Sequence, residues 1–189
     1  MSVWLSASMR CLLVIGILIA VILQPLCAVT NDAQQSKPVP STWAMQFPPG
    51  WVPMKSNFAQ CLMLMYDSKH ADHLASINVI YNVAGNMTLN DVFKSVEKTA
   101  PKLMKNYKLL EQKDAKVGGL SAYSVIFTTT DDELGTMEYK SYVVIRKGIS
   151  YTFTLGCLKK HFQEHSKVFD SIIASIKWVE PPADGQNGL

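Results

Sequence analysis

The chain has 189 residues with a formal charge of +3, of which 48% are hydrophobic and 17% charged, with four cysteines and four histidines. That balance describes an ordinary globular protein and not a disordered one. The charge is too near neutral to argue for nucleic acid or a strongly anionic surface as partner.

Residues 12–23 (LLVIGILIAVIL) form an unbroken apolar run between Arg10 and Pro25, the layout of a secretory signal. As a helix such a run rises about 18 Å, short of the roughly 30 Å hydrocarbon core. Cleavage after Ala28 is therefore expected, with an uncleaved membrane anchor as the alternative. Residues 1–28 are read as the signal peptide and residues 29–42 as a flexible linker carrying Pro38 and Pro40. Residues 43–179 are read as one folded domain and residues 180–189 as a disordered tail. The mature chain is expected to be exported, periplasmic or extracellular, and to fold as a soluble monomer without a cofactor.

Within the folded unit, residues 43–47 read as a short strand stopped by Pro48-Pro49-Gly50. Residues 58–66 and 75–81 follow as strands around the polar loop 67–73. From Thr88 the period changes: Val92, Phe93, Val96, Ala100, Leu103, Met104 and Tyr107 recur at helical spacing, with Thr88 and Asp91 as cap and capping-box partner. Pro101 is expected to kink that helix or break its last turns. Four strands come next, at residues 108–117, 120–130, 136–146 and 149–156, the last two joined by a tight hairpin at Lys147-Gly148. Tyr151, Phe153 and Leu155 alternate with Ser150, Thr152 and Thr154, which predicts one apolar and one polar face. A helix over residues 159–176, with Phe162, Phe169, Ile172, Ile173 and Ile176 in one stripe, supplies the cover. The order β-β-β-α-β-β-β-β-α is that of an α+β domain on a mainly antiparallel sheet.

Four segments in this order carry a family likeness: FPPGW at 47–51, VGGLSA at 117–122, YVVIRKGISYTFTLGC at 142–157 and IIASIKW at 172–178. Together they resemble the PsbP, Mog1 and DcrB superfamily. The resemblance implies an α/β/α sandwich, and roles as diverse as extrinsic photosystem subunits, small-GTPase cofactors, secretion-effector chaperones and envelope proteins. It implies no shared catalytic set, so no active-site residue is carried over.

Candidate chemistry must come from the residues themselves. HFQEH at 161–165 matches the His-x-x-Glu-His pattern of inverted zinc proteases, in which His161 and His165 would hold the ion and Glu164 act as base. Helical phase sets Glu164 nearly opposite the buried stripe, and the third ligand of that family comes from a downstream helix, where only Glu180 and Asp184 follow. The preferred reading is one rim histidine and one solvated histidine. Asp67, His70, Asp72 and His73 form a second candidate metal group, which the polarity of a loop explains equally well. No metal site is therefore assigned to His70, His73, His161 or His165. Cys61, Met63 and Met65 share a strand face and are read as packing.

Lys94, Lys98, Lys102 and Lys105 make a basic stripe, a candidate dock for an acidic partner. Cys61 and Cys157, the thiols left after signal removal, are expected near each other on the apolar side of the sheet and are a candidate disulfide, while the preferred reading is two small buried thiols too far apart to bridge. The expected function is an exported, non-enzymatic binding or accessory module of the cell envelope with a protein partner. A metal-dependent hydrolase or a membrane-anchored structural factor is the alternative.

Overall fold

The computed structural model describes residues 42–179. The signal, the linker up to residue 41 and the tail lie outside them. Among the described residues, no helix is long and apolar enough to cross a membrane. The strands are β1 (Thr42–Ala44), β2 (Trp51–Pro53), β3 (Cys61–Asp67), β4 (Ser76–Val83), β5 (Lys108–Val117), β6 (Leu120–Asp131), β7 (Gly135–Arg146), β8 (Ile149–Leu158) and β9 (Lys177–Val179). The helices are α1 (Leu89–Leu103) and α2 (Phe162–Ala174), with short 3-10 turns at Ala71–His73 and Lys159–His161.

Seven strands form one antiparallel sheet in the order β2-β3-β4-β8-β7-β6-β5, while β1 and β9 pair separately. Strand alternation divides the sheet between the two helices. Tyr151, Phe153 and Leu155 of β8 and Val144 of β7 face α2, where they bury Phe162, Phe169, Ile172 and Ile173. Val125, Phe127 and Tyr139 face α1 and bury Phe93 and Ala100. Each fully buried ring or aliphatic side chain contributes about 1.5–3 kcal/mol to this layering. The arrangement is an α+β sandwich with one helix on each face.

Helix α1 begins as its sequence predicts, with the Thr88 hydroxyl accepting from the Asp91 amide and the Asp91 carboxylate accepting from the Thr88 amide. It stops at Leu103, two residues beyond Pro101, so Met104 and Tyr107 pack on the core from outside the helix. The β7–β8 hairpin turns on Lys147 and Gly148, at φ 50° and 72°, the left-handed pair that matches strand twist.

Several expectations need correction. β2 and β9 were not foreseen, and the strand expected at residues 43–47 is shorter, pairing with β9. The polar face of β8 is not solvated: Ser150, Thr152 and Thr154 are buried. Helix α1 covers that side, and the Ser141 and Thr154 hydroxyls satisfy each other at 2.9 Å.

Candidate functional site

The site grows from one feature of the topology. β4 and β8 are neighbours, with Ser76 opposite Gly156, so the start of β4 and the end of β8 lie at the same end of the sheet. The β3–β4 connection therefore stands beside the β8–α2 junction. The first carries Asp67, His70, Asp72 and His73; the second carries His161, Glu164 and His165. All four histidines of the chain meet at this corner.

The β3–β4 connection is held by its own backbone. Ser68 donates from its amide and its hydroxyl to the Gly50 carbonyl at 2.9 and 2.7 Å. The Asp67 amide donates to Ala75 at 3.0 Å, and the Lys69 amide donates to the Asp67 carboxylate at 2.9 Å. A left-handed Leu74 (φ 53°) returns the chain to β4. On the other side, the 3-10 turn presents His161 and the first turn of α2 presents His165, which the apolar stripe of the helix carries inward. His165 is only 2% exposed, deeper than the rim position expected for it, and Glu164 faces solvent.

The imidazoles are in mutual contact. His73 Nδ1 lies 3.0 Å from His165 Nε2, a separation spanning 92 residues of sequence. The His73 ring stacks on His161 with centroids 3.5 Å apart, and on its other side lies His70 at 5.0 Å. Asp67 sits behind them, 6% exposed. Its Oδ2 accepts from His70 Nδ1 at 2.7 Å and stands 4.0 Å from His165 Nδ1. Asp72 lies on the open rim, and its carboxylate, a His73 ring nitrogen and a His161 ring nitrogen fall within 4.8 Å of one another. The edge of Trp51 meets His165 with ring centres 6.4 Å apart.

The electrostatics follow from this packing. Burial pushes His165 and His161 below the ordinary imidazole value, with His73 adding to the effect. The hydrogen bond that His70 Nδ1 donates to the Asp67 carboxylate pulls His70 the other way. Burial works against the Asp67 charge, but the hydrogen bonds from His70 and Lys69 outweigh it and hold the carboxyl below its usual range. The corner thus disfavours charge on His161 and His165 while favouring it on the Asp67 carboxylate at their back. Among the described residues, His161 Nε2 is buried without a hydrogen-bond partner.

Two groups that were separate in the sequence are therefore one. The objection to HFQEH, that a third ligand must come from downstream, does not hold for this fold, because His73 arrives from upstream. The convergence was not legible because strand order was unknown; the pairing of His-x-x-His at 70–73 with His-x-x-x-His at 161–165 was its signal.

The other candidates stay apart from the corner. Lys94, Lys98 and Lys102 lie exposed on α1, while Lys105 falls beyond the helix and pairs with Asp132. Cys61 and Cys157 are free thiols. Cys61 pairs opposite Ile80, whereas Cys157 lies one residue past the partner of Ser76. They flank opposite ends of β4 on different sides, well over 10 Å apart at about 3.3 Å per residue, and no bridge of about 7 Å reach can join them. The expected proximity is therefore wrong. Met63 and Met65 pack against the α2-side core, as read from strand alternation, while Leu62 on the other face is exposed.

Comparison with known proteins bears on the fold alone. No family model and no curated protein sequence matches the chain. Solved structures do. LpqN of Mycobacterium tuberculosis, described as involved in cell envelope biogenesis, is similar with a TM-score of 0.57 at 14% identity, over 77% of this chain and 87% of that one. Cyanobacterial PsbP from Synechocystis sp. PCC 6803 gives a TM-score of 0.54 at 16% identity, covering 82% of this chain and 100% of that one. A variant of Mog1 gives 0.50 at 10% identity, over 74% and 97%. The fold is that of the PsbP and Mog1 proteins, as the sequence resemblance implied.

Proposed function

We propose that the chain is an exported accessory module of the cell envelope that works by binding, not by catalysis, and that its binding seat is the histidine corner. The observation that carries this reading is the convergence of four histidines and a buried aspartate from two segments about 90 residues apart onto one end of the sheet. A fold needs no such cluster for packing, since three stacked polar rings and a fourth set edge-on bury less apolar surface than aliphatic residues would. The apolar leader at residues 12–23 supports export. LpqN, a protein of similar fold described in cell envelope biogenesis, supports the setting. A protein of the envelope is the partner this module would serve.

A second reading, a metal-dependent hydrolase, gains from the third imidazole that His73 sets beside His161 and His165. One residue separates the two. A hydrolase of the HFQEH type needs Glu164 as base, whereas a binding module tolerates its loss.

Complementation of a strain deleted for the chain tests both. The wild-type protein, Lys98→Ala and Glu164→Gln are expected to restore the envelope, and the folded His73→Ala/His161→Ala variant to fail. Restoration by the histidine variant would overturn the proposed seat. Failure of Glu164→Gln alone would overturn the non-catalytic reading.

A further inference from the structure

We propose that the histidine corner is a binding site for a single divalent transition-metal ion of the zinc, nickel and copper(II) class. His73, His161 and His165 supply the imidazole ligands, Asp72 closes the rim, and Asp67 acts behind them as a positioning residue. This rests on the reading of the corner as the binding seat and names what it binds.

The ligand atoms lie close to the spacing one ion needs, and binding would turn the stacked His73 and His161 rings so that their in-plane lone pairs converge. With bonds of about 2.0 Å to imidazole nitrogen, two ligands of a tetrahedral ion stand about 3.3 Å apart. His73 Nδ1 and His165 Nε2 are at 3.0 Å. Asp72, His73 and His161 set one ligand atom each within 4.8 Å of one another; His165 stands outside that group and meets it through His73, so the ion would draw the His165 ring in to complete the set. The ion would thus be reached from the β3–β4 connection and from the β8–α2 junction at once, closing the corner across the sheet end.

The polar atoms point the same way. A single proton between His73 and His165 satisfies one nitrogen of each ring, but His161 Nε2 remains buried with no partner among the described residues. A buried ring nitrogen of this kind is normally satisfied by a hydrogen-bond partner or a metal.

Asp67 has the character of an orienting group. It is buried, and its oxygens are occupied by the Lys69 amide and His70 Nδ1. The same carboxylate faces His165 Nδ1 at 4.0 Å, which leaves His165 Nε2 turned towards His73. Carboxylate behind imidazole behind metal is the usual way a protein fixes ring orientation and raises ligand basicity.

The donor set also selects the class of ion. Calcium and magnesium take six or more oxygens or an octahedral water shell, and this corner is mainly nitrogen. Soft ions prefer sulfur. Neither thiol contributes: Cys61 Sγ donates to the Met63 carbonyl, and Cys157 is buried among the core residues under α2. Imidazole with one carboxylate suits zinc, nickel and copper(II).

The test uses the mature chain, stripped with chelator and titrated with zinc, nickel, copper(II) and magnesium by calorimetry. Retained metal is counted after dialysis. One zinc, nickel or copper ion per chain is expected, with no magnesium uptake. Copper(II) is expected to quench Trp51, which lies against His165, and to show imidazole nitrogen couplings in its electron paramagnetic resonance spectrum. His161→Ala and His73→Ala should each abolish stoichiometric uptake, and Lys98→Ala should leave it unchanged. Asp67→Asn should keep one ion per chain but weaken it about 10–100-fold. Absence of uptake by the folded chain, equal uptake of magnesium, or uptake that survives the His73→Ala/His161→Ala pair would overturn the proposal. Failure here is distinct from failure of the seat: a chain that takes up no metal, yet needs these histidines for complementation, binds something else at the same corner.

Discussion

Gly118→Ala is expected to be among the most damaging single methyl additions the domain can receive. Gly118 begins the turn between β5 and β6 at φ 55°, and a Cβ there would stand 2.5 Å from Trp178 Nε1 and 2.6 Å from Trp178 Cδ1. The left-handed backbone alone costs an alanine about 1–2 kcal/mol, of which about 0.4–1 is recovered through a stiffer unfolded chain. The indole must then move. It would lose its hydrogen bond to the Val117 carbonyl (3.2 Å), worth about 0.5–1.5 kcal/mol. It would also disturb the Arg146 contact at 5.0 Å from the ring centre, worth about 0.5–1 kcal/mol. Its packing on Tyr151, 5.1 Å between centroids, adds about 0.5–1.5 kcal/mol.

The total expected loss is about 2.5–5 kcal/mol. Gly119 is the internal control, because its φ is 83° and a Cβ there meets nothing within 4 Å. Gly119→Ala should cost only the backbone part, about 1 kcal/mol. Urea unfolding followed by far-ultraviolet circular dichroism measures both without relying on the perturbed tryptophan. A double-mutant cycle with Trp178→Ala should remove most of the excess at Gly118. Equal losses at the two glycines would refute the steric argument.

Two further outcomes follow from buried groups away from the corner. Burial raises the Glu138 carboxyl above its ordinary 4.5, against the pull of Lys159. The folded state then holds more protons than the unfolded state between 4.5 and the raised value, so stability falls as pH rises through that window. Glu138→Gln should therefore be more stable than the parent at pH 7 and show no gain at pH 4, by urea midpoint; a larger gain at pH 4 would contradict this. For the thiols, Cys61 is partly exposed, whereas burial pushes Cys157 up to about 12. In the unreduced native chain, an aromatic disulfide reagent should titrate Cys61 readily and Cys157 only on unfolding. A chain with no titratable thiol after denaturation would contradict the separation across β4.

What could be read beforehand was local. The capping pair Thr88 and Asp91, the period of Val92, Phe93, Val96 and Ala100, and the Lys147-Gly148 turn each involve residues within a few positions of one another. Short-range backbone rules decide such elements. β9 could not be read, because three residues become a strand only through Trp43 opposite Trp178. The polar alternation of Ser150, Thr152 and Thr154 is legible, but their burial is not, since their side of the sheet is closed by α1 from a distant part of the chain. The corner is the extreme case. His70, His73, His161 and His165 were recognised as metal-capable residue types, but their meeting depends on β4 lying beside β8, which no motif encodes.

The most direct measurement of the central claim is X-ray absorption at the zinc edge, on the mature chain loaded with one zinc per molecule. The account predicts a first shell dominated by nitrogen at about 2.0–2.1 Å, with the outer-shell scattering of three imidazoles. The imidazole signal should be lost in His73→Ala/His161→Ala. A shell of oxygen alone, or sulfur at about 2.3 Å, would contradict the assignment of the ion to the histidine corner.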